Sequence, residues 1–299
     1  MTKTLGTLFL IGTPLGNLED MTFRAVRILG EADELYCEDT RRTAVLLAHY
    51  KVTRKRGPKS FHDHSSRTVL MKVRELLEEG KSVAYATDGG MPVVSDPGFV
   101  LVREAIQIGA RIEVIPGPSA GVTLFAASGL ASPKYFFHGF FPQTHGEVDR
   151  VIEQIRTIPA AHVFYEAPFR AVKVLEILEK NIPEAEIVFG RELTKVHEEI
   201  LRGKVKEVLE QLVAKQKIRG ECVFAVLIAE PKRAKSSHTK GLIEGEQAEA
   251  PIELTAEQKA EIAVQIHAGI SSKDAAKVLS KKFNVPRRVI YEYIVKNLT

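Results

Sequence analysis

The chain has 299 residues, 44% hydrophobic and 27% charged, with a formal net charge of +4, an ordinary soluble globular balance with room for two or three domains. No apolar run approaches the ~18–20 residues that cross a bilayer, and the N-terminal Met1-Thr2-Lys3-Thr4-Leu5-Gly6 lacks the plan of a secretory leader, so a cytoplasmic protein is expected. Two cysteines, Cys37 and Cys222, make neither a disulfide framework nor a metal-ligand spacing and read as buried core thiols.

Strand-like and helix-like runs alternate from residue 7 to about residue 229, the pattern of α/β layers. The first half reads as strand 7–12, helix 20–30, strand 33–37, helices 41–49 and 67–79, strand 82–87, helix 97–108, strand 111–115 and helix 119–128. Pro133 marks a break, after which come strand 135–140, helix 147–157, strand 161–166, helix 169–180, strand 186–191, helix 204–215 and strand 221–229. These divide into an N-terminal α/β domain over 1–117 and a second over 118–229. Residues 230–253 turn to Lys, Ser, Gly, Glu, Ala and Pro and read as a flexible linker.

Residues 254–299 read as three short helices. Thr255 with Gln258 resembles a capping box, Gly269 ends the first helix, Ser271 or Ser272 starts the next, and Asn284-Val285-Pro286 separates the last. Ala275, Ala276, Leu279 and Phe283 form an apolar stripe, while Lys273, Lys277 and Lys281 line another face. Such a unit resembles a helix-turn-helix module; a packing or dimerisation appendage is the plainer alternative.

Three Gly/Pro turns close apolar runs: Gly12-Thr13-Pro14-Leu15-Gly16-Asn17, Thr87-Asp88-Gly89-Gly90-Met91-Pro92 and Pro116-Gly117-Pro118-Ser119-Ala120. An open α/β sheet presents its ligand crevice at such strand ends, so the turns point to one shared small-molecule site, although turns alone are also plain connections. None follows a dinucleotide or Walker pattern, so the glycines suit close approach to an uncharged or sulfur-bearing ligand rather than phosphate. Ser95-Asp96-Pro97-Gly98 reads as a helix N-cap with proline at the first helical position.

Lys51, Arg54, Lys55, Arg56 and Lys59 flank Gly57-Pro58, with Arg41-Arg42 before them and Arg67 after. This is either a solvated basic loop or a phosphate-contacting surface. His62-Asp63-His64 lacks a third and fourth ligand in pattern, and no metal is expected. Glu38-Asp39, Glu166 and Arg191-Glu192 end strands, where charge is common in any case.

Six phrases occur in register: Thr13-Pro14-Leu15-Gly16-Asn17-Leu18-Glu19-Asp20-Met21-Thr22, Cys37-Glu38-Asp39-Thr40-Arg41, Ser95-Asp96-Pro97-Gly98, Pro116-Gly117-Pro118-Ser119-Ala120, Tyr165-Glu166-Ala167-Pro168-Phe169-Arg170 and Arg191-Glu192-Leu193-Thr194-Lys195. Together they resemble the bacterial 16S rRNA cytidine 2′-O-methyltransferases of the tetrapyrrole methylase superfamily, over roughly residues 7–229. The resemblance implies two α/β domains with S-adenosyl-L-methionine in the cleft between them, a homodimer, and a cytidine ribose in the decoding region of 16S rRNA, or of the small ribosomal subunit, as target. It places Pro14, Gly89, Gly90, Met91, Val94, Ser119, Ala120 and Tyr165, with Glu166, at the cofactor, and Arg41, Arg42, Arg54, Lys55 and Arg56 at RNA phosphates.

Two departures stand out. The family carries Ser-Asp-Ala-Gly-Thr-Pro where this chain has Thr87-Asp88-Gly89-Gly90-Met91-Pro92, and an Arg-Lys pair where it has Gln143-Thr144-His145-Gly146.

A ribose hydroxyl is a poor nucleophile, so a base within hydrogen-bond reach would help. Glu38, Asp39, His62, Asp88, Glu166 and Glu198 are candidates; Asp39, Asp88 and Glu166 are preferred for their strand-end positions, and Lys195 is placed to orient the hydroxyl. The alternatives are a porphyrin-precursor methyltransferase of the same fold and a non-catalytic RNA-binding protein.

Overall fold

Short apolar strands that must be covered on both faces set the first layer. The computed structural model describes residues 4–62, 67–215, 217–228 and 254–298, and the chain divides into two compact units, residues 1–235 and 236–299. The first unit opens with β1 (Thr7–Ile11), α1 (Phe23–Glu31), β2 (Glu34–Cys37), α2 (Thr40–His49), β3 (Lys59–Ser60), α3 (Arg67–Glu78), β4 (Val83–Ala86), α4 (Phe99–Ile108) and β5 (Arg111–Ile115). The five strands are all parallel, in the order β3-β2-β4-β1-β5. Every residue of β2 and β4 is buried, as a parallel strand sandwiched by helices requires. Leu8 and Leu10 point to Leu76, Leu77 and Leu101 of α3 and α4, while Ile11 faces Ala25, Leu29 and Leu47 of α1 and α2.

The second layer contains α5 (Ala120–Ser128), β6 (Tyr135–Phe140), α6 (His145–Thr157), β7 (Ala161–Glu166), α7 (Ala171–Asn181), β8 (Glu186–Arg191), β9 (Glu199–Lys204), α8 (Val205–Val213) and β10 (Cys222–Leu227). Its order is β6-β7-β10-β8-β9, with β6 and β7 parallel and the other pairs antiparallel. Helices α6, α7 and α8 cover one face, and Leu124 of α5 packs on Val163, Val188 and Val223 on the other. The helix after β5 therefore belongs to the second sheet, and the chain passes between layers at Pro116–Ser119.

Three sequence expectations need correction. Residues 199–203, left unassigned, form edge strand β9; the charged Glu199 and Arg202 mask the apolar Ile200-Leu201, and Lys204 runs directly into α8 with no breaking residue. Lys59–Ser60, expected only as part of a basic loop, forms the short strand β3. Helix α4 starts at Phe99 rather than at Pro97: Gly98 is its N-cap at φ +120°, and a Cβ there would lie 2.7 Å from the Tyr85 ring.

The second unit packs α9 (Ala256–His267), α10 (Ser272–Phe283) and α11 (Arg287–Asn297) around Ile262, Ala275, Ala276, Leu279, Ile290 and Ile294. Thr255 and Gln258 exchange the two hydrogen bonds of a capping box, and Ser271 caps α10 by accepting the Asp274 N–H. Asn284, left-handed at φ +53°, closes α10 ahead of the turn into α11. The linker expected over 230–253 lies outside the described residues, as do Asp63 and His64.

Candidate functional site between the two sheets

Strands β1 and β4 are neighbours, so the loops that leave their carboxyl ends must meet. Thr13 and Gly90 exchange two backbone hydrogen bonds of 2.9 Å, and the Thr13 hydroxyl donates to the Thr87 carbonyl at 3.1 Å. The third turn closes on the first: a Cβ on Gly12 would fall 2.7 Å from the Gly117 Cα. The three turns picked out in the sequence thus form one ledge at the end of the parallel sheet, where such sheets bind ligands.

The ledge faces the second sheet across a cavity of about 480 Å³. Leu15, Arg42, Asp88, Gly89, Ser95 and Asp96 line it from one side; Tyr165, Glu166, Ala167, Pro168, Leu193, Lys195 and Gly220–Val223 line it from the other. Ala120 and Phe140 complete the wall. The sides are tied together at Lys195. A Cβ on Gly16 would lie 2.2 Å from the Lys195 Cγ, so only glycine lets the lysine stem cross there. Beside it the Asn17 N–H donates to the Thr194 hydroxyl at 3.2 Å.

The site's charged groups differ sharply in surroundings. Asp88 Oδ1 accepts the Asp39 N–H at 3.1 Å and Oδ2 lies 3.4 Å from Arg42; burial raises its pKa above the usual carboxylate range. The Asp39 carboxylate caps α2 and accepts from the Arg41 guanidinium at 2.6–3.2 Å, which holds its pKa at about 2. Glu166 is almost wholly buried: Oε1 accepts the Ala167 N–H at 2.7 Å and lies 3.4 Å from Arg170, while Oε2 has no hydrogen-bond partner. Burial raises its pKa too. At Lys195 burial opposes the charge, but hydrogen bonds to Glu192 (2.9 Å) and Glu221 (3.3 Å) prevail and raise its pKa.

Of the residues assigned from sequence, Asp88, Glu166, Lys195, Gly89, Ala120, Tyr165 and Arg42 line the cavity. Pro14 and Gly90 sit behind it in the ledge: the Pro14 carbonyl would be 3.3 Å from a Cβ on Gly89, and Gly90 holds φ +90°. Met91 places its sulfur against Gly12, Ser119 holds the N-cap position of α5, where the Gly121 N–H donates to the Tyr165 hydroxyl at 3.4 Å, and Val94 is exposed on the following loop. Arg41 and Lys55 face solvent, whereas Arg54 donates to the carbonyls of Leu29 and Ala32. Arg56 and Lys59 both pair with Glu34, a buried carboxylate. Part of the basic run is therefore the fastening of its own loop. Among the described residues no three His, Cys, Asp or Glu side chains gather to hold a metal.

Sequence reasoning missed the backbone strain around the cavity. Val93 and Ser95 on one side, and Glu192 and Thr194 on the other, hold φ values of +52° to +74°. Left-handed Val and Thr are outliers that persist only where packing fixes them, and they cluster at functional sites. Cys222, read from sequence as a core thiol, is buried in the core of the second sheet and also reaches the cavity wall; burial pushes its pKa up to about 12.

The family model for Tetrapyrrole (Corrin/Porphyrin) Methylases matches residues 7–209. A Streptococcus pyogenes serotype M1 protein named ribosomal RNA small subunit methyltransferase I is 37% identical over 292 residues, 97% of this chain and 95% of that one. A Thermotoga maritima protein of the same name is 40% identical over 212 residues, covering 71% of this chain and 94% of its own. Among solved structures, uroporphyrin-III C-methyl transferase from Thermus thermophilus complexed with S-adenyl homocysteine aligns with a TM-score of 0.52 and 21% identity, covering 74% of this chain and 97% of that one; this shows a shared fold. The two-sheet body, its cavity at the strand ends and these matches agree: the chain belongs to the tetrapyrrole methylase family and, within it, to the ribosomal RNA small subunit methyltransferase I family.

Proposed function

We propose that the chain transfers a methyl group from S-adenosyl-L-methionine to the 2′-hydroxyl of a cytidine in the decoding region of 16S rRNA. One observation carries the reading: a single cavity gathers Asp88, Glu166 and Lys195 from both sheets, with Arg42 on its wall. The relatives' name supports rRNA as substrate, and the ligand of the Thermus thermophilus structure supports the cofactor.

The residues present fit that cofactor. The cavity volume suits a small molecule, and Glu166 on its wall keeps a buried Oε2 that no protein donor satisfies. In this reading Gly89, Ala120 and Tyr165 contact the cofactor, and Pro14, Gly90, Met91, Val94 and Ser119 shape the loops that carry them. When bound, it supplies a methyl group already activated on a sulfonium. The protein's task is to align the hydroxyl, exclude water and take a proton.

Asp88 is the base in this reading, because burial gives its carboxyl more proton affinity than Asp39 retains beside Arg41. Asp39 acts by donating its N–H to Asp88. Lys195 orients the hydroxyl, with Glu192 and Glu221 fixing its ammonium. Arg41, Arg42 and Lys55 contact RNA phosphates, while Arg54 and Arg56 brace the loop that presents Lys55.

Two copies pair in this reading. Edge strand β6 exposes Tyr135, Phe136 and Phe140, and the Tyr135 ring stacks on Phe125 of α5, an apolar edge that a second copy would cover. Light scattering at micromolar concentration should give twice the chain mass.

The test of function is transfer of labelled methyl from S-adenosyl-L-methionine to small ribosomal subunits from a strain lacking this gene, followed by nucleoside analysis. Label on 2′-O-methylcytidine is the expected result. No label on the subunits, with label instead on a porphyrin precursor supplied in a parallel reaction or on nothing at all, overturns the reading.

A further inference from the structure

We propose that the C-terminal helical unit is a second RNA-binding surface, in which Lys273, Lys277 and Lys281 of α10 and Arg287 of α11 contact the phosphate backbone of the substrate RNA. The inference rests on the proposed rRNA substrate and goes beyond the cavity, to which these residues do not belong.

The unit's charge is organised rather than scattered. Lys273, Lys277 and Lys281 recur every four residues, so they form one stripe, ~12 Å long at 1.5 Å per residue. All three are exposed, and among the described residues none has a carboxylate within ion-pair distance. The nearby acids are engaged elsewhere: Glu261 with Lys282, Glu292 with Arg288, and Asp274 with the Ser271 hydroxyl. Arg287 extends the stripe from the neighbouring helix, donating to the Lys273 carbonyl at 2.9 Å.

Like charges four residues apart on a helix repel, so an unpaired lysine row lowers the unit's own stability. A polyanion reverses that cost and gains counterion release. Tyr291 lies exposed one turn beyond Arg287 on α11, giving the basic surface an aromatic face for a base. Helices α10 and α11 follow one another across the short turn 284–286, the order of elements that helix-turn-helix proteins bring to nucleic acid.

The Thermotoga maritima relative bears the same name, yet its match of 212 residues is 94% of its own chain. That chain is too short to hold both the two-sheet body and this unit. The reaction named for that relative thus has no general need of the unit, as expected of an added affinity surface.

The experiment compares the full-length chain with its K273E/K277E/K281E and K273Q/K277Q/K281Q variants. Binding to protein-free small-subunit rRNA and to assembled subunits is measured across salt concentration, alongside methyl-transfer kinetics. The expected result is binding at least tenfold weaker for the glutamate variant at ~0.1 M salt, with the slope of log affinity against log salt smaller by about 2–3. The glutamine variant should lose the same slope while keeping the helical circular dichroism of the parent, KM should rise, and kcat at saturating subunit should hold. Unchanged affinity and slope overturn the inference. So does loss on assembled subunits with no loss on naked rRNA, which assigns the stripe to an acidic protein. Absence of methyl transfer by the parent chain is a separate failure, that of the proposed function.

Discussion

Asp88 accepts the backbone N–H of Asp39 at 3.1 Å, while the carboxylate of Asp39 itself is gripped by Arg41. Two acidic residues that look equivalent in sequence are thereby given opposite proton affinities. Asp88→Asn should lower kcat by 10²–10⁴-fold with S-adenosylhomocysteine affinity within a few-fold of the parent, read by single-turnover kinetics and calorimetry. Asp39→Asn, which keeps the N–H, should lose less than tenfold. With Asp88 as the proposed base, the parent rate should fall with acid below an apparent pKa above the ordinary Asp value of 3.8, because only an ionised carboxylate takes a proton and burial raises its pKa.

Glu166 stands in the cavity wall with its Oε2 buried and without a hydrogen-bond partner. Glu166→Ala should weaken S-adenosylhomocysteine binding by 5–150-fold, the ~1–3 kcal/mol range of a lost buried hydrogen bond. Isothermal titration calorimetry measures it, and an unchanged affinity would remove Glu166 from the binding site.

A side chain at Gly16 would meet the Lys195 stem at 2.2 Å. Gly16→Ala should destabilise the chain by about 1–3 kcal/mol through overpacking, and displace the lysine. Thermal unfolding reads the first effect. A Gly16→Ala/Lys195→Ala double variant should recover most of that stability but not turnover.

The imidazoles of His138 and His162 share a hydrogen bond of 2.8 Å, and the second nitrogen of His162 donates to the Ile158 carbonyl at 3.0 Å. Burial first, and then the neighbouring ring, lowers the His138 pKa to about 4; burial lowers that of His162 as well. The folded chain thus binds fewer protons than the unfolded chain between about pH 6.5 and 4, so stability should be full above that window and fall as pH drops through it. His138→Phe, which keeps a ring stacked on Phe164, should flatten the decline in chemical denaturation measured at pH 7, 6 and 5.

The layers were legible in the sequence because they are written in apolar runs: the residues of β4 and β10 are all buried and sit in continuous hydrophobic stretches, and β2 keeps Leu35-Tyr36-Cys37 behind the buried Glu34. Strand β9 was not, because an edge strand carrying Glu199, Arg202 and Lys204 has the composition of a loop. The turns advertised the ledge through their glycines and prolines. The opposite wall was harder to read, since Leu193 and the run Gly220–Val223 reach the cavity from separate segments that only the sheet order brings together. The basic run misled in part for the same reason: Glu34, the partner of Arg56 and Lys59, lies 22 and 25 positions away on β2.

The stem of Lys195 lying on Gly16 has a kinetic consequence. A cleft whose walls are fastened by a lysine threaded over a bare backbone is a slot rather than a jaw. Ligand exchange must then proceed by local movement at the rim, where the left-handed Val93 and Ser95 already mark a stressed segment, and the spent cofactor should leave at a rate set by that segment rather than by rotation of one half against the other.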